Sequence, residues 1–246
     1  MFNFFKSNRT PITKQFPSSF VDIHSHILPA IDDGSKSFEE SLALLKRMYS
    51  YGIKKVILTP HVMEGVWENT RVDLENRFQE LKDYLEKSNF TNIELHLAAE
   101  YMLDTNFETL LINEKLLTIK DNYVLVEMSY MSAPINLYET LFNIQVAGYR
   151  PILAHPERYN FYHQNYQEYF KLKEVGCLFQ LNLLSLSNYY GKDVNGIAKR
   201  LLKDKLIDFA GSDTHQDRHL NYLEGINNSK IIKNMKPILE NNLLLY

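Results

Sequence analysis

The amino-acid sequence predicts an α/β fold in which parallel strands close into a single barrel. Short β-type runs alternate with helical patterns along the chain, as in repeated strand–helix units. The length of 246 residues suits a barrel that forms one domain. Hydrophobic residues make up 45% and charged residues 23%, which is the ordinary composition of a globular domain.

Seven runs have the length and composition of buried strands. They lie at 20–23, 55–58, 93–98, 123–126, 151–154, 178–181 and 207–210. The clearest helix follows Ser37, whose spacing from Glu40 is that of a capping box, and ends at Gly52. Two further apolar stripes at helical spacing are Leu74, Phe78, Leu81 and Leu85, and Leu137, Leu141, Ile144 and Ala147.

Composition excludes several classes of protein. The formal charge of −3 gives no sign of the basic surface that nucleic-acid binding requires. The single cysteine, Cys177, excludes an internal disulfide framework and indicates a reducing compartment. No apolar run approaches the roughly 18 residues of a membrane span. We expect a cytoplasmic protein in which residues 1–19 form an exposed lead-in and residues 20–246 form the barrel domain.

Metal-binding side chains follow six of the seven predicted strands, where barrel enzymes carry their active sites. Apolar strands would fold without them. Taken in strand order, these side chains are His24 and His26, His61, Glu100, Glu127, His155, and Asp213 with His215. With Asp33 they make nine nitrogen and oxygen donors, which is too many for one ion. We therefore predict two or three metal ions, with a carboxylate such as Glu127 bridging them. Such sites clamp the oxygens of a phosphoryl displacement.

Two pairs in this set have a local geometric reason to act together. Residues two apart on a strand share a face, so His24 and His26 can hold one ion, and Asp213 and His215 are related in the same way. Imidazole suits zinc, iron or manganese, and the lack of a thiolate argues against a structural zinc site. Asp22 has the parity to support His24 from below.

The motifs "DIHSHILPAIDDG", "TPH", "HPER" and "SDTH" resemble the polymerase-and-histidinol-phosphatase (PHP) superfamily. Within it they resemble the bacterial metal-dependent tyrosine phosphatases of capsule and exopolysaccharide synthesis, from residue 20 to the C-terminus. The resemblance implies a distorted (β/α)7 barrel with up to three divalent metals, usually manganese, with iron, zinc or magnesium as alternatives. It implies hydrolysis of phosphotyrosine on a membrane-associated tyrosine autokinase.

The resemblance also implies residue roles. It places the nine donors as metal ligands and Arg158 and Arg218 as the arginines that hold phosphate. Spacing alone does not decide between Asp32 and Asp33. Hydroxide from metal-bound water is the expected nucleophile, and His215 or Asp213 could assist the leaving group, although the sequence assigns no general acid. The loop at 63–70 could form a flap whose Trp67 reads the substrate ring.

Other functions stay open at this point. One is a PHP phosphatase for a small ester such as histidinol phosphate, and another is a non-catalytic metal-binding scaffold; a homo-oligomer is also open. A cysteine-dependent phosphatase is excluded, because Leu183 stands where that chemistry needs an arginine, six residues after Cys177. An amidohydrolase is disfavoured, because strand four ends in Glu127 rather than lysine and strand six carries no histidine.

Overall fold

The computed structural model describes residues 10–246, which contain nine strands and eight α-helices. The strands are β1 (Val21–Asp22), β2 (Lys55–Leu58), β3 (His61–Val62), β4 (Glu94–Leu97), β5 (Glu100–Met102), β6 (Tyr123–Glu127), β7 (Arg150–Ala154), β8 (Leu178–Asn182) and β9 (Phe209–Gly211). The helices are α1 (Phe38–Ser50), α2 (Arg71–Lys87), α3 (Thr105–Asn113), α4 (Leu137–Val146), α5 (Gln167–Glu174), α6 (Lys192–Lys203), α7 (Asp217–Glu224) and α8 (Ser229–Asn241).

All strand pairs are parallel, and they form two sheets, β1-β2-β4 and β3-β5-β6-β7-β8-β9. Each predicted strand is present. The two additional strands, β3 and β5, follow β2 and β4 after breaks of two residues each. Hydrogen bonds cross these breaks, from the Ala98 N–H to the Leu58 carbonyl (2.8 Å) and from the Glu100 N–H to the Pro60 carbonyl (3.0 Å). The two sheets are thus one interrupted sheet of seven strand positions.

The first and last strand positions also meet. Ser25 and Thr214 form a parallel bridge just beyond β1 and β9. The Asp213 N–H donates to the His24 carbonyl at 2.8 Å, and the His26 N–H donates to the Thr214 carbonyl at 2.9 Å. These bonds join the edges of the sheet, so the predicted distorted (β/α)7 barrel is confirmed, and the carboxyl ends of its strands share one rim.

Helix α1 begins where the sequence predicts, with one difference at its N-cap. The Ser37 hydroxyl accepts from the Glu40 N–H at 3.2 Å. The Glu40 carboxylate, however, accepts from the Lys36 N–H at 2.8 Å rather than from Ser37. The predicted capping box is therefore only half formed, because the chain turns so that the N–H of Lys36, one residue earlier, reaches the carboxylate.

The predicted lead-in is only partly exposed where the structure describes it. Ile12 is fully buried, and its N–H donates to the Ile226 carbonyl at 2.7 Å. Phe16 stacks on Phe20 with ring centroids 4.6 Å apart. The expectation of an exposed segment is wrong for Ile12 and Phe16, because these apolar side chains pack onto the domain, whereas Thr10, Lys14, Gln15 and Ser18 are exposed as expected. Residues 1–9 of the predicted lead-in lie outside the described residues.

Gly34, which ends the "IDDG" motif, has no room for a side chain. A Cβ there would lie 1.9 Å from the His26 carbonyl oxygen, which is backbone and cannot turn away. We expect Gly34→Ala to lower the free energy of unfolding by about 2 kcal/mol or more in urea titrations. Gly196 is the matched control, because it lies exposed in α6 and a Cβ added there would meet nothing within 4 Å. Gly196→Ala should stabilise by about 0.5–1 kcal/mol, and equal effects of the two changes would contradict this account.

Candidate metal centre

The rim of the barrel brings all nine predicted ligands into one cluster. Their donor atoms form four overlapping groups, and within each group the atoms lie within 4.8 Å of one another. The groups are His26, Asp33, His61 and His215; His24, His26 and Asp213; His24, Glu100 and His155; and His61, Glu100 and Glu127. Because the groups overlap, two or three ions could share ligands, which agrees with the prediction made from the number of donors. The role of each residue as a ligand stays a prediction.

Glu100 occupies the centre of the cluster. Its Oε2 lies 3.1 Å from His24 Nε2, 3.2 Å from His26 Nε2 and 3.2 Å from His61 Nδ1. Its Oε1 lies 3.0 Å from His155 Nε2. Because both oxygens of this fully buried carboxylate face imidazole nitrogens, Glu100 is the carboxylate best placed to bridge ions.

Glu127, predicted as an example of a bridging carboxylate, lies to one side of the cluster. Its Oε1 is 2.9 Å from His61 Nδ1. Strand register explains the difference, because β5 and β6 pair Glu100 with Leu125, two residues before Glu127. Glu100 therefore lies two residues deeper along the barrel than Glu127, on the same face of the sheet.

The chemistry of the donors fits divalent metals. Nitrogen and oxygen ligands without thiolates suit manganese, iron or zinc. His61 Nδ1 and Glu127 Oε1 are close but not aligned as a hydrogen bond, and each is buried without a hydrogen-bond partner among residues 10–246. The Nδ1 of His155 is likewise buried and unpartnered within that range. Burying such atoms is costly unless they are satisfied, and a cation coordinated by His61 and Glu127 would satisfy both atoms of that pair.

Opposite charges hold the cluster together. Burial alone would raise the pKa of Glu100, but attraction to His24 holds that pKa well below its usual range. Burial and attraction to His24 oppose each other in the same way at Asp213, whose pKa is also well below its usual range. Burial would lower the pKa of His26, yet the Asp32 carboxylate raises it well above its ordinary value. A divalent cation would compete with protons for the imidazole nitrogen atoms of His24 and His26.

The structure distinguishes the two aspartates of the "IDDG" motif. Asp32 Oδ2 accepts from His26 Nδ1 at 2.8 Å, on the side of the ring away from the cluster's Nε2 contacts. Asp33 Oδ1 lies 3.3 Å from His215 Nε2 and 3.6 Å from His61 Nε2. This geometry favours Asp33 as the ligand, while Asp32 orients the His26 imidazole.

Strand β8 supplies two residues that hydrogen-bond to members of the cluster and were not predicted. Gln180 Oε1 accepts from His24 Nδ1 at 2.9 Å, and the Asn182 amide donates to Asp213 Oδ2 at 2.6 Å. Asp22 does not support His24 as expected, because its Oδ1 accepts from the Ser212 N–H at 2.8 Å. The signal in the sequence was the pair of polar residues two apart in the apolar run "LFQLNLL", since such residues share a strand face.

Removing the Gln180 acceptor should weaken metal binding without removing a ligand. In Gln180→Leu, His24 loses the hydrogen bond that fixes its ring, and we expect metal affinity to fall by about 10- to 100-fold. Calorimetric titration of the metal-free protein with Mn²⁺ would measure this. Gln180→Glu keeps an acceptor facing His24 and should bind more tightly than Gln180→Leu. Equal affinity of wild type and Gln180→Leu would refute the supporting role.

Two of the predicted ligand positions carry backbone strain. His155 and Asp213 have φ of +36° and +51°, in the left-handed region that L-residues rarely adopt. The His155 N–H donates to the Gln180 carbonyl at 2.8 Å, and the Asp213 N–H is bonded to His24. Such strain persists where the surroundings hold it, and it is concentrated at functional sites.

The two predicted phosphate-holding arginines differ in position. Arg158 is largely buried, with Nη1 3.0 Å from Asp213 Oδ2 and its guanidinium between the rings of Tyr130 (4.7 Å) and Tyr190 (4.1 Å). Arg218 is exposed and donates to the Tyr189 hydroxyl at 2.7 Å. Arg158 therefore lies beside the cluster, whereas the structure does not bring Arg218 to it.

A cavity of about 710 Å³ opens above the cluster. Its floor is polar and includes His61, Glu100, His155, Arg158 and Asp213. Its wall includes the apolar or aromatic side chains Met63, Val66, Trp67, Met102, Tyr130 and Met131. His215 also lines it, with its ring stacked on His26 at 4.1 Å. The cavity thus combines a floor suited to an anion and metal ions with a wall suited to an apolar group.

The closed barrel and the donor cluster on its rim define the class of PHP-type barrel proteins with a candidate polynuclear metal centre. One solved structure is similar to this chain, with a TM-score of 0.76 and 28% identity, and the match covers 90% of this chain and 94% of that one. It belongs to a description of YwqE from Bacillus subtilis and CpsB from Streptococcus pneumoniae as unique metal-dependent tyrosine phosphatases. A lactonase from Listeria monocytogenes, at a TM-score of 0.53 and 11% identity, shares the fold alone.

Within that class, the chain belongs to the CpsB/CapC family of capsular polysaccharide synthesis, whose profile matches residues 20–224. The tyrosine-protein phosphatase YwqE of Bacillus subtilis (strain 168) is 31% identical over 205 residues, which cover 82% of this chain and 80% of that protein. The tyrosine-protein phosphatase CpsB of Streptococcus pneumoniae is 29% identical over 201 residues, covering 79% and 82%. Within residues 10–246, none of the helices has the length and apolar character of a membrane span.

Proposed function

We propose that this protein hydrolyses phosphotyrosine in proteins and acts in capsule or exopolysaccharide synthesis. The observation that carries the proposal is the nine-donor cluster beside Arg158 on the floor of one cavity. The similarity to YwqE and CpsB, which are named as tyrosine-protein phosphatases, supports the same activity. The catalytic unit is the barrel at 20–246.

The finer parts of the proposal follow from the same site. The cofactors are two or three divalent ions, with manganese first and iron, zinc or magnesium as alternatives, because the donors are nitrogen and oxygen only. The substrate is a phosphotyrosine protein, and the partner we propose is a membrane-associated tyrosine autokinase. We place this protein itself in the cytoplasm. The nine donors named above are the proposed ligands.

Arg158 holds the phosphate in this proposal. Its guanidinium presents a planar fork that matches two phosphate oxygens, and its charge is permanent. The rings of Tyr130 and Tyr190 and the carboxylate of Asp213 fix its position, so little ordering is left to do when substrate binds. Divalent ions held by the cluster would supply Lewis acidity and a nucleophile derived from water at neutral pH.

The leaving group makes modest demands on the protein. Tyrosine has a pKa of about 10, so the tyrosinate departs more readily than an alkoxide. His215 faces the cavity, and its Nδ1 contacts the Asp213 carbonyl at 2.9 Å, so Asp213 orients this ring. His215 is the catalytic side chain that we propose to assist departure. Because it is also one of the proposed ligands, it would act by helping to hold an ion and not as a proton donor. Arg218 is proposed only as an outer contact for phosphate-bearing substrate, because it is bonded to Tyr189.

One experiment separates the candidate functions. Phosphate release from a phosphotyrosine peptide and from histidinol phosphate would be measured side by side, with Mn²⁺ and after chelation. We expect metal-dependent release from the peptide. Release chiefly from histidinol phosphate would replace the substrate and keep the metal centre. Release from neither, with metal bound, would reject the enzymatic proposal in favour of a metal-binding scaffold.

A further inference from the structure

We propose that the turn ending at Trp67 is a fixed platform for the aromatic ring of the substrate, so that Trp67 selects aryl over alkyl phosphate monoesters. The inference rests on the proposed function and assigns its specificity to a particular side chain. It is carried by the hydrogen bonds of the turn, by the contacts of Trp67 and by the composition of the cavity wall.

The turn is tied to the barrel and does not have the form of the flap that the sequence suggested. Met63 and Trp67 exchange both backbone hydrogen bonds, each 2.9 Å long. The Glu64 N–H donates to Asp104 Oδ2 at 2.9 Å, which anchors the turn to the N-cap of α3. A ring presented by such a turn is already ordered, so a ligand that packs on it loses little further conformational entropy.

The turn is also connected to the metal centre. The Asn69 amide, two residues beyond Trp67, donates to the His61 carbonyl at 2.8 Å and to the Ile31 carbonyl at 3.1 Å. The side chain of His61 contacts Glu100 and Glu127 in the cluster. The position of the platform relative to the site of phosphate binding is therefore determined by the protein and not by the substrate.

Trp67 is the cavity aromatic that lacks an aromatic or cationic neighbour within residues 10–246. Tyr130 packs on Arg158 and His155, and Tyr189 and Tyr190 pack on each other at 4.8 Å. Trp67 stacks on no ring and lies under no cation in that range, although it is half-buried and lines the cavity. A half-buried indole that faces an open cavity provides a flat apolar surface for a second ring.

The side chains of the cavity wall around Trp67 favour an aryl phosphate over an alkyl phosphate. Met63 and Met131 line the same cavity, and thioethers contact aromatic rings favourably. A phosphotyrosine whose phosphate reaches the floor places its ring against this wall. A phosphoserine has a single methylene between phosphate and main chain, so its polar peptide groups would be desolvated there without partners. The same wall therefore favours the aryl ester and penalises the alkyl ester.

Inhibition by phosphonates tests the selection of aryl groups by Trp67, and because phosphonates have no ester leaving group, differences in leaving group do not affect the comparison. Phenylphosphonate and methylphosphonate share the anion and differ in the ring. In the manganese-loaded protein, Trp67→Ala should raise the inhibition constant of phenylphosphonate by about tenfold and leave that of methylphosphonate unchanged. Trp67→Phe should restore most of the difference. Val72→Ala removes an exposed apolar side chain outside the cavity and serves as the control. An unchanged preference in Trp67→Ala overturns the inference.

Fluorescence provides a second readout that needs no turnover. Trp67 is the only tryptophan in the chain, so intrinsic tryptophan emission reports on this position alone. Phenylphosphonate should change the emission and methylphosphonate should not, and equal responses to both would also overturn the inference. Failure of the proposed function would appear separately, as wild-type protein that releases no phosphate from a phosphotyrosine peptide whatever the phosphonate preference.

Discussion

Replacing Glu100 by glutamine is expected to lower kcat/KM for a phosphotyrosine peptide by at least about 1,000-fold. The substitution keeps the size of the side chain and removes its charge. Four imidazoles face the carboxylate at 3.0–3.2 Å, so the change affects every group of donors that shares it. We also expect fewer metal ions per chain, measured by elemental analysis after dialysis.

Glu94→Gln is the matched control for this experiment. Glu94 begins β4, close before β5 in the chain, but it is exposed and pairs with Lys55 at 3.8 Å. Exposed ion pairs contribute little, so activity and metal content should match wild type. Full activity and full metal content in folded Glu100→Gln would show that this carboxylate is not a ligand, and the proposed arrangement of the centre would fail.

Replacing Arg158 by lysine is expected to lower kcat/KM by about 100-fold while the metal content stays at the wild-type level. Lysine keeps the positive charge but loses the planar fork and the flat surface that packs between Tyr130 and Tyr190. The inhibition constant of inorganic phosphate should rise in parallel, because the same fork holds the product. Lower activity and weaker phosphate inhibition at unchanged metal content would identify a phosphate-holding residue, because loss of a metal ligand would reduce the metal content.

Arg150 provides the control for this second substitution. It begins β7, the strand that leads to Arg158, and its guanidinium lies 4.5 Å from the ring of Tyr123. Arg150→Lys thus disturbs a similar arginine–tyrosine contact at the opposite end of the barrel. Activity should be unchanged. Equal losses in Arg150→Lys and Arg158→Lys would indicate a general effect on folding and would contradict the assignment of Arg158.

The elements that the sequence predicted correctly are those decided by short-range patterns. The seven strands could be located because buried parallel strands are continuous apolar runs. The candidate ligands could be located because each follows such a run, and all the carboxyl ends of a parallel barrel meet at one rim. The pairing of His24 with His26 was predicted from the rule that residues two apart on a strand share a face. It holds although β1 ends at Asp22, because Ser25 continues the sheet through its bridge to Thr214.

The arrangement within the cluster was decided by contacts between distant segments. The breaks after β2 and β4 and the pairing of Glu100 with Leu125 place Glu100 at the centre and Glu127 at the side. The turn at these two aspartates directs Asp33 towards the imidazole of His61, whereas Asp32 accepts from the His26 ring and from the His61 backbone N–H. No local pattern encodes strand register, because register depends on how whole strands pack against each other.

The chain by itself therefore determined which residues reach the rim, because strand periodicity and strand ends are properties of a few consecutive residues. Only the tertiary structure decided how these residues are arranged there. Gln180 on β8 bonds to His24, which follows β1, although β9 lies between these two strands. Arg218, close in sequence to His215, turns away to Tyr189. These outcomes depend on distances between side chains from different strands and helices, which are set only when the barrel closes.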